Sequence, residues 1–148
     1  FPVGEDGQML RKLSDKQLQS LKRVTGPIAS HVNGGERGLL IDPPADDQGS
    51  AHVGIINRKL NLALELIYPI EQLPRLANWQ LYGPGGTYVA GVEPYAGSLL
   101  GKNRDNHPLA ANFLEPGEHR DYSLTIRVHA DKKSIADFAK HDGSLTAR

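Results

Sequence analysis

Two stretches of the chain alternate apolar and polar residues with a period of two. Leu60, Leu62, Leu64, Leu66 and Tyr68 alternate with Asn61, Ala63, Glu65 and Ile67. Tyr122, Leu124, Ile126 and Val128 alternate with Ser123, Thr125 and Arg127. That period predicts half-buried strands, with the leucine-bearing face turned to the core. Shorter apolar runs predict further strands at Leu39 to Ile41, Ala51 to Asn57, Trp79 to Tyr82 and Thr87 to Val92. Polar or Gly/Pro segments separate them: Asp42-Pro43-Pro44 through Ser50, Asn57-Arg58-Lys59, and Gly83-Pro84-Gly85-Gly86. Leu114-Glu115-Pro116-Gly117-Glu118 forms a turn feeding the last strand. Helical spacing occurs only near the ends. Ser14 and Gln17 make a capping box before Leu18, Leu21 and Val24, predicting a short helix over Asp15 to Arg23. Ile135, Phe138 and Ala139 line one side of a second helix over Lys133 to His141.

Short strands punctuated by glycine and proline predict an all-β antiparallel sandwich with one or two short helices, not a βαβ fold. At 148 residues the chain is expected to form one domain. Its parts are a lead-in and helix over 1–27, sandwich strands over 28–130 and a tail or helix over 131–148. The longest segment without a pattern, Tyr95 to Ala111, exceeds the usual connection and is therefore a candidate functional loop.

Charge and cysteine content narrow the function classes. Seventeen basic residues balance 17 acidic ones, so there is no net field to gather nucleic acid or an anionic membrane surface. No apolar run approaches the roughly 18 residues that span a bilayer, and Phe1 to Asp6 have no secretory-leader pattern, which points to a cytoplasmic protein. The start at Phe1 points to processing or to a longer parent. The absence of cysteine removes disulfides, thiolate metal sites and a cysteine nucleophile. The six histidines form no His-x-His or His-x₃-His pair, so no zinc site and no cofactor are expected. The Gly83 to Gly86 run lacks the Gly-Lys-Ser/Thr end of a phosphate loop and reads as a hairpin turn.

Three segments, in order, carry a resemblance: EQLPRLANW from Glu71 to Trp79, TYVAGVEP from Thr87 to Pro94, and LEPGE from Leu114 to Glu118. Together they resemble the C-terminal part of the aldose 1-epimerase (galactose mutarotase-like) superfamily. Members carry an LPYL..W segment, a strand ending in a Glu-Pro step and an L.PGE turn into a final strand. The resemblance covers roughly Leu60 to Val128. It implies an incomplete galactose mutarotase-like supersandwich that binds a monosaccharide on a concave sheet face. Members are usually about twice this length, which implies that the N-terminal strands are missing from the chain or supplied otherwise. Unpaired sheet edges in a chain of half length suggest a homodimer.

The resemblance assigns Glu93 the role of general base. Mutarotation requires a base to take the proton of the anomeric hydroxyl and an acid to protonate the ring oxygen. The residues agree in part: Glu93 follows an apolar strand and precedes Pro94, at the expected strand end beside the long loop. The family's catalytic histidine lies well upstream of its glutamate, and no histidine here stands in that motif. His31, in the turn-like SHVNGG stretch, is the histidine best suited to the acid role. Trp79 offers a flat face for a sugar ring or, equally, a core side chain. Tyr95 could line the same rim, and Arg75 could bond sugar hydroxyls. Two other readings stay open: a non-catalytic carbohydrate-binding sandwich attached to a sugar-processing enzyme, and a structural β-domain without a ligand.

Overall fold

A computed structural model describes residues 14, 16, 20, 22–24, 26, 35–83, 88–97, 99 and 114–141. Six strands run through it: β1 (Gly35–Ile41), β2 (Ser50–Asn57), β3 (Leu62–Pro69), β4 (Arg75–Tyr82), β5 (Tyr88–Tyr95) and β6 (Thr125–His129). One helix, α1 (Lys132–Ala139), follows them. Lys16 and Ser20 are helical, and the rest of the expected first helix lies mostly outside the described residues. No helix among the described residues is long and apolar enough to cross a membrane.

The strands form two antiparallel three-stranded sheets, ordered β1-β4-β5 and β2-β3-β6. The fold is therefore all-β and sandwich-like, with β2 and β5 in contact between the sheets. Local chemistry sets the connections. The β2–β3 turn closes on Asn57, whose side-chain oxygen accepts from the Leu60 amide at 3.0 Å. Asn61 then takes φ 51°, a left-handed conformation that asparagine tolerates. In the LEPGE turn Gly117 takes φ 89°, and the Glu118 amide donates to the Glu115 carbonyl at 2.9 Å. Asp131 caps α1 by accepting from the Ser134 amide at 2.9 Å.

Strand boundaries differ from expectation where proline and charge blurred the pattern. β4 begins at Arg75, earlier than the apolar run suggests, because LPRLANW is itself strand after Pro74. β5 continues through Glu93 and Pro94 to Tyr95. Glu93 is therefore inside a strand, not at its end, and Tyr95 belongs to the strand rather than the loop. Proline is admissible there because β5 is an edge strand whose outer side needs no donor. Tyr122 and Leu124 precede β6 and are not part of it.

The larger correction concerns which face is buried in the first half of β3; further along, Tyr68 of the leucine parity is buried as expected. Leu62 and Leu64 are 42% and 43% exposed, and Ile126 and Val128 are 62% and 63% exposed. The opposite parity, Ala63 and Glu65, is buried. Helix α1 explains the inversion. Ile135 and Phe138 pack with Ala63 and Ile56 on this second face, forming a small apolar core. Gly54 makes the approach possible: a Cβ there would meet the Leu64 carbonyl oxygen and lie 3.0 Å from Phe138 Cζ. In the other sheet the buried residues are Leu39 of β1 and Leu76, Ala77, Gln80 and Tyr82 of β4. The Tyr82 hydroxyl donates to the Gln80 side-chain oxygen.

Candidate functional site

Cross-strand register decides which candidate residues meet. Side chains at directly paired positions project from the same face of an antiparallel sheet. Arg75 pairs with Tyr95, Ala77 with Glu93, and Trp79 with Gly91. Arg75, Trp79, Glu93 and Tyr95 therefore share one face of the β1-β4-β5 sheet, since β4 positions 75, 77 and 79 have equal parity. Leu40 and Gly38 of β1 complete it, opposite Ala77 and Trp79. The reverse face carries the buried Leu76, Gln80 and Tyr82.

The row Gly38–Trp79–Gly91 sets the shape of this front face. Trp79 is the chain's only tryptophan and has no side chain on either flank of its row. Space above Gly38 is open, with nothing within 4 Å of where a Cβ would stand. Space above Gly91 is taken by Glu93: a Cβ on Gly91 would fall within contact distance of Glu93 Oε1. The Glu93 carboxylate thus folds back along β5 toward the position facing Trp79. The carboxylate therefore stands over the position directly opposite Trp79. Glu93 is exposed, while Trp79 and Tyr95 are half-buried.

Arg75 and Tyr95 form the adjoining pair. Burial pushes the Tyr95 phenol up, and Asp42 adds to that, while the charge and hydrogen bond of Arg75 pull it down; the net direction is upward. Tyr95 is therefore a neutral hydroxyl near pH 7, able to donate and accept. A carboxylate, an aromatic plate, a guanidinium and a phenol on one sheet face, around the buried Ala77, can accept from, stack on and donate to a polyhydroxylated ring. His31 lies outside the described residues. Among the described residues no histidine occupies the front face.

This register sits within a stretch that matches a known family model. The model of the Domain of unknown function (DUF4432) family matches residues 7–128. The chain belongs to the DUF4432 family. The match takes in β1 to β5 and all of β6 except His129, and α1 lies beyond it. Neither a curated protein nor a solved structure matches the chain.

The DUF4432 chain carries a second polar cluster, on the α1-covered face of the β2-β3-β6 sheet. Glu65 is 1% exposed and accepts three charge-bearing or polar donors. His52 Nδ1 donates to Oε1 at 2.6 Å, His129 Nε2 to Oε2 at 2.8 Å, and Arg127 Nη1 to Oε2 at 3.2 Å. Burial pushes the Glu65 carboxyl up, but hydrogen bonds from His52 and His129 and the Arg127 charge outweigh it and hold it low. Sequence reading missed this cluster, because its members lie 13, 62 and 64 positions from Glu65. A signal existed nonetheless: the non-leucine parity of three predicted strands holds His52, Glu65 and Arg127, a set suited to mutual pairing.

Proposed function

We propose that this DUF4432 chain binds a hexose-type sugar on the front face of the β1-β4-β5 sheet, with Glu93 as general base in anomer interconversion. In this reading the two sheets are part of a galactose mutarotase-like supersandwich. The observation that carries it is the shared face. Four residues singled out for sugar chemistry, spread over 21 positions from Arg75 to Tyr95, converge beside two glycines. Trp79 supplies the stacking plate, Glu93 takes the proton of the anomeric hydroxyl, and Arg75 and Tyr95 hold hydroxyls further along the ring. Removing that proton lets the ring C–O bond cleave to the open-chain aldehyde as an acid protonates the ring oxygen. Reclosure on the other carbonyl face gives the other anomer. His31 is the proposed acid.

A second reading, a non-catalytic carbohydrate-binding sandwich, is favoured by one observation: no described histidine occupies the front face. One titration separates the two. With galactose or glucose at millimolar concentration, Trp79 fluorescence is expected to change saturably, and polarimetry to show faster anomer exchange. Saturable binding without faster exchange selects the second reading. Unchanged fluorescence across a panel of hexoses and pentoses removes both.

A further inference from the structure

His52 has carboxylates on both ring nitrogens. Nδ1 lies 2.6 Å from Glu65 Oε1, and Nε2 lies 3.1 Å from Asp46 Oδ2. A carboxylate oxygen only accepts, so both contacts are hydrogen bonds only when both nitrogens carry protons, that is, when the ring is an imidazolium. Asp46 occupies a particular place. It lies in the connection from β1, in one sheet, to β2, in the other. Its Oδ1 accepts from the Gln48 amide at 2.9 Å and the Ser50 amide at 2.8 Å, and its own amide donates to the Ser50 carbonyl at 2.8 Å. Fixing Asp46 therefore fixes the whole turn.

We propose that Asp46, His52 and Glu65 form a pH-sensitive clasp that pins the connection between the two sheets, closed while His52 carries both ring protons and released when it gives one up. Neutral His52 keeps its Nδ1 proton for Glu65, whose burial makes a lost donor costly. Its Nε2 then turns a lone pair toward Asp46 Oδ2, two acceptors facing at hydrogen-bond distance. Asp46 is exposed and turns to water, and the turn loosens.

The surroundings fit this assignment from every packed element. From β3 comes Glu65, and from β6 come Arg127, 55% exposed at the side chain, and His129, both bonded to Glu65. From the end of α1 comes His141, stacked on His52 with centroids 4.5 Å apart and planes 11° apart. The charged residues Lys133, Asp137 and Lys140 of that region pair with one another in solvent. On α1 the ring facing this cluster is Phe138, parallel to His129 with centroids 5.4 Å apart. Among the described residues no group of three or more His, Asp or Glu side chains could hold a metal ion. Arg127 on Glu65 also disfavours a cation there.

The sign of the pH dependence follows. Burial lowers the His52 pKa, but hydrogen bonds and charges of Glu65 and Asp46 raise it further, for a net rise above 6.5. Its contribution to stability is therefore complete below 6.5 and is lost as pH climbs through the raised value. Asp46 and Glu65 are both held below their ordinary values, so their contributions are present above the carboxylate range and are lost as pH falls through the lowered values. The clasp closes between those limits, above the lowered carboxylate values and below the raised His52 value.

Ring ¹⁵N NMR of the histidines across pH 5–9 tests this on the full chain, beside thermal melts at the same pH values. The expected result is that His52 titrates above ordinary histidine with both ring nitrogens protonated below that midpoint, and that the melting temperature falls as the ring deprotonates. Asp46→Asn, at an exposed position, is expected to move the His52 midpoint downward. His52→Gln is expected to flatten the melting profile over the same window. A His52 midpoint at or below the ordinary value overturns the clasp, as does a midpoint that Asp46→Asn leaves in place. If His52→Gln does not fold, the Asp46→Asn shift decides alone.

Discussion

Glu93→Gln is expected to slow anomer interconversion by about 10²–10⁴-fold, the usual contribution of a positioned general base. At about 1.36 kcal/mol per tenfold change, this is a loss of roughly 3–5 kcal/mol of transition-state stabilisation. The amide keeps the shape of the side chain and an acceptor oxygen but has no basic lone pair near neutral pH. The substitution should therefore leave sugar affinity within a few fold, so that kcat falls while the fluorescence titration through Trp79 changes little. Stability should also hold, because Glu93 is exposed and stands on an edge strand. Polarimetry of wild type and variant at equal concentration makes the comparison. An unchanged rate in an active protein would remove Glu93 from the base role.

The largest expected effect on stability lies in the other sheet. Glu65→Ala is expected to destabilise the chain by about 3–5 kcal/mol, the range for breaking a buried charge pair by removing one partner. The carboxylate is 1% exposed and is the common acceptor for His52, His129 and Arg127. Its loss leaves His129, 8% exposed at the side chain, without its acceptor beneath α1. The figure belongs at the lower end of that range, since Arg127 is half-exposed and can turn to water. For a chain of 148 residues such a loss lowers the melting temperature on the order of 10 °C, readable by circular dichroism. A variant that melts with wild type would show that α1 and the small core under it hold without the cluster.

Much of the architecture was legible because strand periodicity is local. The expected runs at Ala51 to Asn57, Leu60 to Tyr68 and Thr87 to Val92 fall on β2, β3 and β5. Helix α1 falls within a residue or two of its expected span. Orientation of a strand is not local, and there the first half of β3 departs from expectation, while Tyr68 on the leucine parity is buried. Leu62, Leu64 and Leu66 form the more apolar parity of β3, so that parity should be buried in a strand considered alone. What decides the matter is the pairing of Glu65 with His52 on β2 and Arg127 and His129 on β6, contacts that exist only once the sheet is assembled. Three donors saturating one carboxylate, with Ile135 and Phe138 laid above, make the charged parity the covered one.

The front face was legible in its members but not in its geometry. Arg75, Trp79 and Tyr95 are legible from what their side chains can do, and Glu93 from the resemblance of the TYVAGVEP segment. Their convergence depends on the β4–β5 register, which a turn at Gly83 to Gly86 suggests without fixing. Glu93-Pro94 read as a strand end because proline interrupts a central strand, whereas an edge strand accepts it. The contribution of Gly38 and Gly91 was invisible in sequence. A glycine flanking a tryptophan across two strands leaves no trace in periodicity, yet here one leaves open space and the other makes room for a carboxylate.

A crystal of the chain soaked with galactose at saturating concentration tests the central claim most directly. The sugar is expected on the front face of the β1-β4-β5 sheet, its ring against Trp79 and its anomeric hydroxyl about 2.6–3.2 Å from the Glu93 carboxylate. Galactose ordered elsewhere, with Glu93 still folded over Gly91 in solvent, would contradict the account.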